Sequence, residues 1–229
     1  MRTIGLIGGM SWESTAEYYR VLNEETRRRL GGLHSAPCVV YSLDFAEIER
    51  MQAEGRWDEA AKALVAAGQA LERAGAEFAV LCTNTMHRVA DSLESELGIP
   101  LLHLADATAA AVRSAGVDRV GLLGTAFTME QAFYRDRLAS HGIDVLVPDA
   151  DDRALMHRVI YDELCQGVVR EDSRAAYRRI IAGLAEDGAR GIVLGCTEIE
   201  LLVTAQDSPV PVFPTARLHA VAAVDRALR

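Results

Sequence analysis

The chain has 229 residues, half of them hydrophobic and a quarter charged, which suits a buried core and excludes a disordered or collagen-like chain. A formal net charge of −9 offers no basic surface to neutralise a phosphate backbone or an anionic bilayer, so neither nucleic acid nor a membrane is an expected partner. One lysine, Lys62, stands against 23 arginines, and cysteines at 38, 82, 165 and 196 show no C-x-x-C spacing, so reduced thiols are expected, with neither a zinc site nor a disulfide framework.

In chain order, the first apolar run, Ile4-Gly-Leu-Ile-Gly-Gly, is too short and too broken by glycine for a signal segment, and no stretch of 18 apolar residues follows. A cytoplasmic protein is expected. Residues 3–7, 38–43, 78–82, 119–123, 144–147 and 191–194 read as buried strands. Helical patterns at 13–30, 57–74, 86–96, 105–115, 127–140, 153–166, 172–187 and 215–228 separate them. Within 57–74, Lys62 falls on the polar stripe opposite Leu64 and Leu71. A surface lysine there argues against pyridoxal chemistry, which needs a lysine to form the imine.

The alternation predicts an α/β fold with parallel sheets. An internal repeat divides it, because Val120-Gly-Leu-Leu-Gly-Thr answers the first glycine run, and Gly195-Cys196-Thr answers Leu81-Cys82-Thr at nearly the same distance from it. Two pseudosymmetric Rossmann-like lobes follow as the expectation: residues 1–104 with 210–229, and 105–209. The run Pro209-Val-Pro-Val-Phe-Pro-Thr with the last helix is expected to add back onto lobe one. Ligands of open α/β sheets bind at the carboxyl ends of strands, so the repeat predicts an active site in the cleft between lobes, with a Cys-Thr pair from each.

Cys82 and Cys196 each end a strand and precede a helical pattern, where backbone N–H groups and the helix dipole are expected to lower a thiol's pKa. Two thiols facing one carbon suit proton exchange, one removing a proton and the other delivering one to the opposite face. Thr83, Thr85, Thr197, Asn84 and the turn at Gly8, Gly9, Met10 and Ser11 offer donors for a substrate carboxylate. Each alone also reads as a cap or turn residue. Cys38 and Cys165 read as packed core thiols. The histidines lack H-x-x-x-H and H-E-x-x-H spacing, so no metal is expected, and no nucleotide-binding glycine motif occurs.

Ile4 to Ser14, Val80-Leu-Cys-Thr-Asn-Thr-Met-His87 and Gly195-Cys-Thr-Glu-Ile-Glu-Leu-Leu202 resemble the signatures of the aspartate/glutamate racemase family, and similarity runs nearly end to end. The resemblance implies a pyridoxal-phosphate-independent, cofactor-free racemase, usually a homodimer, interconverting L- and D-amino acids with Cys82 and Cys196 as the catalytic pair. It implies substrate contacts at Met10, Gln52, Thr83, Asn84, Thr85, Thr125 and Thr197. One departure concerns the substrate's far end, where the family's aspartate racemases carry an arginine and a lysine. The comparable stretches here are Ser42-Leu-Asp-Phe-Ala46 and Asp162-Glu-Leu-Cys-Gln166, with neither cation, so aspartate/glutamate or a broader range stays open. Arg50 and Arg158 could substitute, although helical arginines are more often solvated. The alternatives are a single-cysteine decarboxylase or hydrolase and a two-lobed solute-binding module; the duplicated cysteine argues against the first.

Overall fold

A computed structural model describes residues 1–229, and the chain divides into two compact units, Met1–Leu104 with His219–Arg229, and Ala105–Leu218. In the first unit β1 (Ile4–Gly8) leads into α1 (Trp12–Leu30), β2 (Cys38–Ser42), α2 (Phe45–Ala53), α3 (Trp57–Arg73) and β3 (Phe78–Leu81). A 3₁₀ helix (Thr85–Val89), α4 (Ala90–Glu96) and β4 (Leu101–Leu102) follow. The four strands lie in the order β2-β1-β3-β4, all parallel. Both faces of such a sheet are covered, which explains why β1 and β3 are continuous apolar runs rather than alternating ones.

Helix α3 shows how the pattern becomes packing. Its buried stripe, Ala60, Ala61, Leu64, Ala67, Gly68 and Leu71, recurs at helical spacing, and burying Leu64 and Leu71 contributes roughly 2 kcal/mol each. A Cβ at Gly68 would stand 2.8 Å from the Leu97 methyls, so glycine is what lets Leu97 pack there. Lys62 is exposed on the opposite side of α3.

The second unit repeats the plan. After α5 (Leu104–Ser114) come β5 (Arg119–Gly124), α6 (Ala126–Glu130), α7 (Ala132–Ser140), β6 (Asp144–Leu146) and α8 (Ala150–Asp162). A 3₁₀ turn (Leu164–Gln166), α9 (Glu171–Glu186), β7 (Ile192–Gly195), α10 (Ile199–Leu202), a 3₁₀ turn (Ala205–Asp207), β8 (Val212–Pro214) and α11 (Thr215–Leu228) complete the chain. The strand order is β6-β5-β7-β8, again all parallel. No helix is long and apolar enough to cross a membrane.

The placement of β8 corrects one expectation. Rather than joining lobe one, Val212 and Phe213 pair with Ile192 and Val193 of β7, and the Ile192 N–H donates to the Pro211 carbonyl at 2.8 Å. Pro211 and Pro214 lack N–H groups, which confines this strand to a sheet edge. Only from His219 onward does α11 belong to the first unit, where the Arg2 N–H donates to the Ala227 carbonyl at 2.8 Å.

Three helical patterns are also subdivided. The 127–140 pattern breaks at Gln131, which is extended at ψ 150°, and the 153–166 pattern breaks at Glu163. The 86–96 pattern starts as a 3₁₀ turn.

Candidate active site

In both sheets the first strand has its successors on opposite sides, so the carboxyl ends of β1 and β3, and of β5 and β7, flank the point where connection direction reverses. Open α/β sheets bind ligands at such switch points. Cys82 is the first residue after β3 and Cys196 the first after β7.

The β1 end is shaped by close backbone approach. Gly9 has φ +88°, and a Cβ there would lie 2.1 Å from the Leu43 carbonyl oxygen. The Gly9 N–H donates to Thr15 Oγ1 at 2.8 Å, and that hydroxyl donates to the Ser11 carbonyl at 3.0 Å. Ser11 Oγ caps α1 by accepting from the Ser14 N–H at 3.3 Å. Ser14 Oγ in turn donates to the Cys82 carbonyl at 3.4 Å, tying the start of α1 to the cysteine segment. Met10 lies buried between these anchors.

Cys82 is fully buried, its N–H donating to the Ile7 carbonyl at 2.9 Å and its Sγ 3.8 Å from the Val80 carbonyl. Thr83, Asn84 and Thr85 follow it, all buried. Gln52, also buried, reaches the same segment from α2, donating through Nε2 to Met86 Sδ at 3.0 Å. Helix α2 is not among the helical patterns expected from periodicity, though Asp44, whose side chain accepts from the Ala46 N–H at 3.1 Å, followed by Glu47 is the signal that marks its start.

A histidine braces the Cys82 segment from behind. His87 Nδ1–H donates to the Thr83 carbonyl at 2.7 Å, while Nε2 accepts from the Leu104 N–H at 3.1 Å. Accepting at Nε2 makes the ring neutral, with its proton on Nδ1. Its ring packs 4.6 Å from that of His103 and 6.0 Å from that of His219. His219 Nε2–H donates to the Leu102 carbonyl at 2.8 Å, and its Nδ1 lies 2.9 Å from the Tyr18 hydroxyl. Sequence spacing gives no hint of this cluster, since Tyr18 and His219 are 201 positions apart.

In the second unit Gly124 pairs with Gly195, and a Cβ at Gly124 would sit 3.1 Å from the Gly195 carbonyl. Thr125 therefore leaves β5 beside Cys196 leaving β7. Thr125 Oγ1 caps α6, accepting from the Thr128 N–H at 3.3 Å. Cys196 Sγ donates to Glu198 Oε2 at 2.9 Å, and the half-buried Thr197 donates its hydroxyl to the same oxygen at 2.8 Å. Glu198 itself is buried.

Both thiols depart from the expectation of a lowered pKa. Burial, with a smaller contribution from Cys38, pushes the Cys82 thiol far up. For Cys196 burial comes first and the neighbouring Glu198 carboxylate second, and together they hold the thiol well above its ordinary range. The helices expected to oppose this are short, a five-residue 3₁₀ turn after Cys82 and the four-residue α10 after Cys196. Their dipoles do not offset desolvation. All four cysteines are free thiols.

Arg50 and Arg158 are both exposed, and Arg158 lines a shallow groove with Asp162, Glu163 and Asp172.

Comparisons with known proteins match nearly the whole chain. The profile of the Asp/Glu/hydantoin racemase family matches residues 7–223. A Yersinia pestis crystal structure assigned as an Asp/Glu racemase is 56% identical, with a TM-score of 0.94 over 100% of both chains. An aspartate racemase homologue from Pyrococcus horikoshii OT3 is 34% identical with a TM-score of 0.87, again over 100% of both chains. The broad specificity amino-acid racemase RacX of Bacillus subtilis is 22% identical over 93% of this chain and 92% of its own. The duplicated sheets and the extent of these matches lead to one assignment: the chain belongs to the Asp/Glu/hydantoin racemase family.

Proposed function

We propose that the protein is a pyridoxal-phosphate-independent amino-acid racemase whose acid/base groups are Cys82 and Cys196. The observation that carries this reading is the equivalent placement of the two thiols, each one residue past the third strand in chain order of its sheet, at the switch point of an identical strand order. One sulfur takes the Cα proton, the electron pair stays on Cα, and the other thiol delivers its proton to the opposite face, inverting the centre. Thr83, Asn84, Thr85, Thr125 and Thr197 supply hydroxyl and amide donors for the substrate carboxylate as negative charge develops, with Met10 and Gln52 completing the contacts.

The substrates are aspartate, glutamate or a broader set of α-amino acids, acted on without a cofactor in the cytoplasm. The two arginines that could replace the family's cations for a distal carboxylate stand on exposed helix faces, which favours the broader set. Incubating enantiopure acidic and neutral amino acids in D2O without pyridoxal phosphate tests the reading. Racemisation with deuterium at Cα is the expected result, and no exchange across the panel overturns it.

The working assembly is a homodimer. In the first unit Trp12 and Tyr19 on α1 and Val40 and Tyr41 on the edge strand β2 expose large apolar side chains, as surfaces that meet a second copy do. Light scattering should return about twice the 24.9 kDa chain mass; the monomer mass at micromolar concentration would refute this.

A further inference from the structure

The two thiols, equivalent by topology, differ in what their sulfurs touch. Cys82 Sγ donates to the Val80 backbone carbonyl at 3.8 Å and has the Cys38 thiol as its titratable neighbour, whereas Cys196 Sγ donates to the buried Glu198 carboxylate at 2.9 Å. A thiolate beside that carboxylate would place two negative charges at hydrogen-bond distance in a site removed from water. A Cys196 that worked by ionising alone would therefore have to carry that repulsion in every turnover.

We propose that Glu198 is a catalytic residue that works with Cys196 as one proton-carrying pair, so that Cys196 exchanges protons with Cα without becoming a free thiolate. This rests on the racemase reading above. When the pair acts as base, the Cα–H bond breaks, its proton joins the Cys196 sulfur, and the thiol's own proton passes to Glu198 Oε2; the electron pair remains on Cα. The Cys82 thiol then delivers its proton to the other face. Glu198 releases its proton to solvent and the Cys82 thiolate regains one, restoring the resting state. When the pair acts as acid, the same transfers run in reverse. The pair thus cycles between charges of −1 and 0, while Cys82, lacking such a partner, cycles between thiol and thiolate.

Thr197 donates to the same Oε2 and fixes its direction. Titratable groups that face Cys196 besides Glu198 include the Tyr177 phenol on α9 and the Cys165 thiol on the 3₁₀ turn after α8, with Glu163 acting on Tyr177. Burial holds the Tyr177 phenol in its neutral form, so Glu198 is the group that brings negative charge against Cys196.

Two readouts with opposite signs separate this role from a structural one. The first is deuterium wash-in at Cα by the Cys82→Ala enzyme, in which Cys196 is the remaining thiol of the pair, with and without Glu198→Gln, from pH 6 to 10. The second is the rate of Cys196 carboxamidomethylation by iodoacetamide in the same proteins, followed by peptide mass spectrometry. Glu198→Gln should slow exchange at pH 7 by about 10²-fold and convert its pH dependence to a climb toward alkaline pH, because the sulfur must then ionise by itself. Alkylation at the same pH should become about tenfold faster, the effect of one pK unit, because the adjacent negative charge is gone.

Exchange and alkylation falling together, or exchange kept within twofold, overturns the proposal. Glu198→Asp guards against misfolding: keeping a carboxylate, it should leave alkylation near the parental rate, and a rise like that of Glu198→Gln counts against the pairing. If the wild-type protein exchanges no amino acid at all, the racemase reading falls, and the alkylation arm still decides the thiol–carboxylate pairing.

Discussion

Replacing Cys82 or Cys196 with alanine is expected to lower racemisation by about 10²–10⁴-fold, the range attached to a positioned general acid or base. The two losses should not add. Inversion needs both proton transfers in one turnover, so either deletion breaks the same sequence and the double variant should be no worse than the more damaged single one. Each single variant keeps one sulfur on one face of the substrate and should still wash deuterium into one enantiomer, a different one for each variant. Circular dichroism for racemisation and proton NMR for exchange make the measurement. Wild-type racemisation by either variant would overturn the two-thiol mechanism, and loss in only one of them would favour single-cysteine chemistry.

The largest expected loss of stability comes from a residue that does no chemistry. Gly9→Ala places a methyl 2.1 Å from the Leu43 carbonyl oxygen and 2.5 Å from the Leu43 nitrogen, at φ +88°. Backbone atoms cannot swing aside as a side-chain tip can, and the Leu43 N–H is already engaged with the Gly8 carbonyl at 3.0 Å. Left-handed backbone strain and overpacking each cost about 1–3 kcal/mol, so a loss of about 4 kcal/mol is expected. At about 2–4 °C per kcal/mol for a chain of this size, the first melting transition should fall by about 10 °C. Gly55→Ala is the control, since Gly55 has φ +71° but nothing within 4 Å of where the new methyl would stand, leaving only the conformational cost of about 1 kcal/mol. Equal melting temperatures for the two variants would show that Leu43 can retreat from the turn.

Much of the molecule is legible locally. Strand runs such as Phe78–Leu81, the glycine turn that follows β1, and the amphipathic stripe of α3 are all properties of neighbouring residues, and periodicity reports them directly. The repeat is legible for the same reason: two copies of a local pattern at matching spacing imply two copies of a sheet, and the orders β2-β1-β3-β4 and β6-β5-β7-β8 are identical. Cys82 and Cys196 stand out because each closes a strand in that pattern.

What local pattern cannot carry is the neighbourhood that distant segments create. Strand β8 is a short run between prolines, and its partner is decided by the available edge of β7 rather than by anything in its own residues. Two-residue β4 is too short to have a period, and its Leu102 carbonyl is bound by His219, 117 positions away. A thiol placed before a helix suggests a lowered pKa, because the sequence shows the helix but not the burial. The fold sets the opposite sign by removing both sulfurs from water and turning Glu198 toward one of them. The sequence by itself therefore determined two α/β sheets and a thiol at the end of a strand in each, since those follow from short-range patterning. Only tertiary structure decided the electrostatic character of those thiols, because desolvation and charge proximity are set by which surfaces the folded chain brings together.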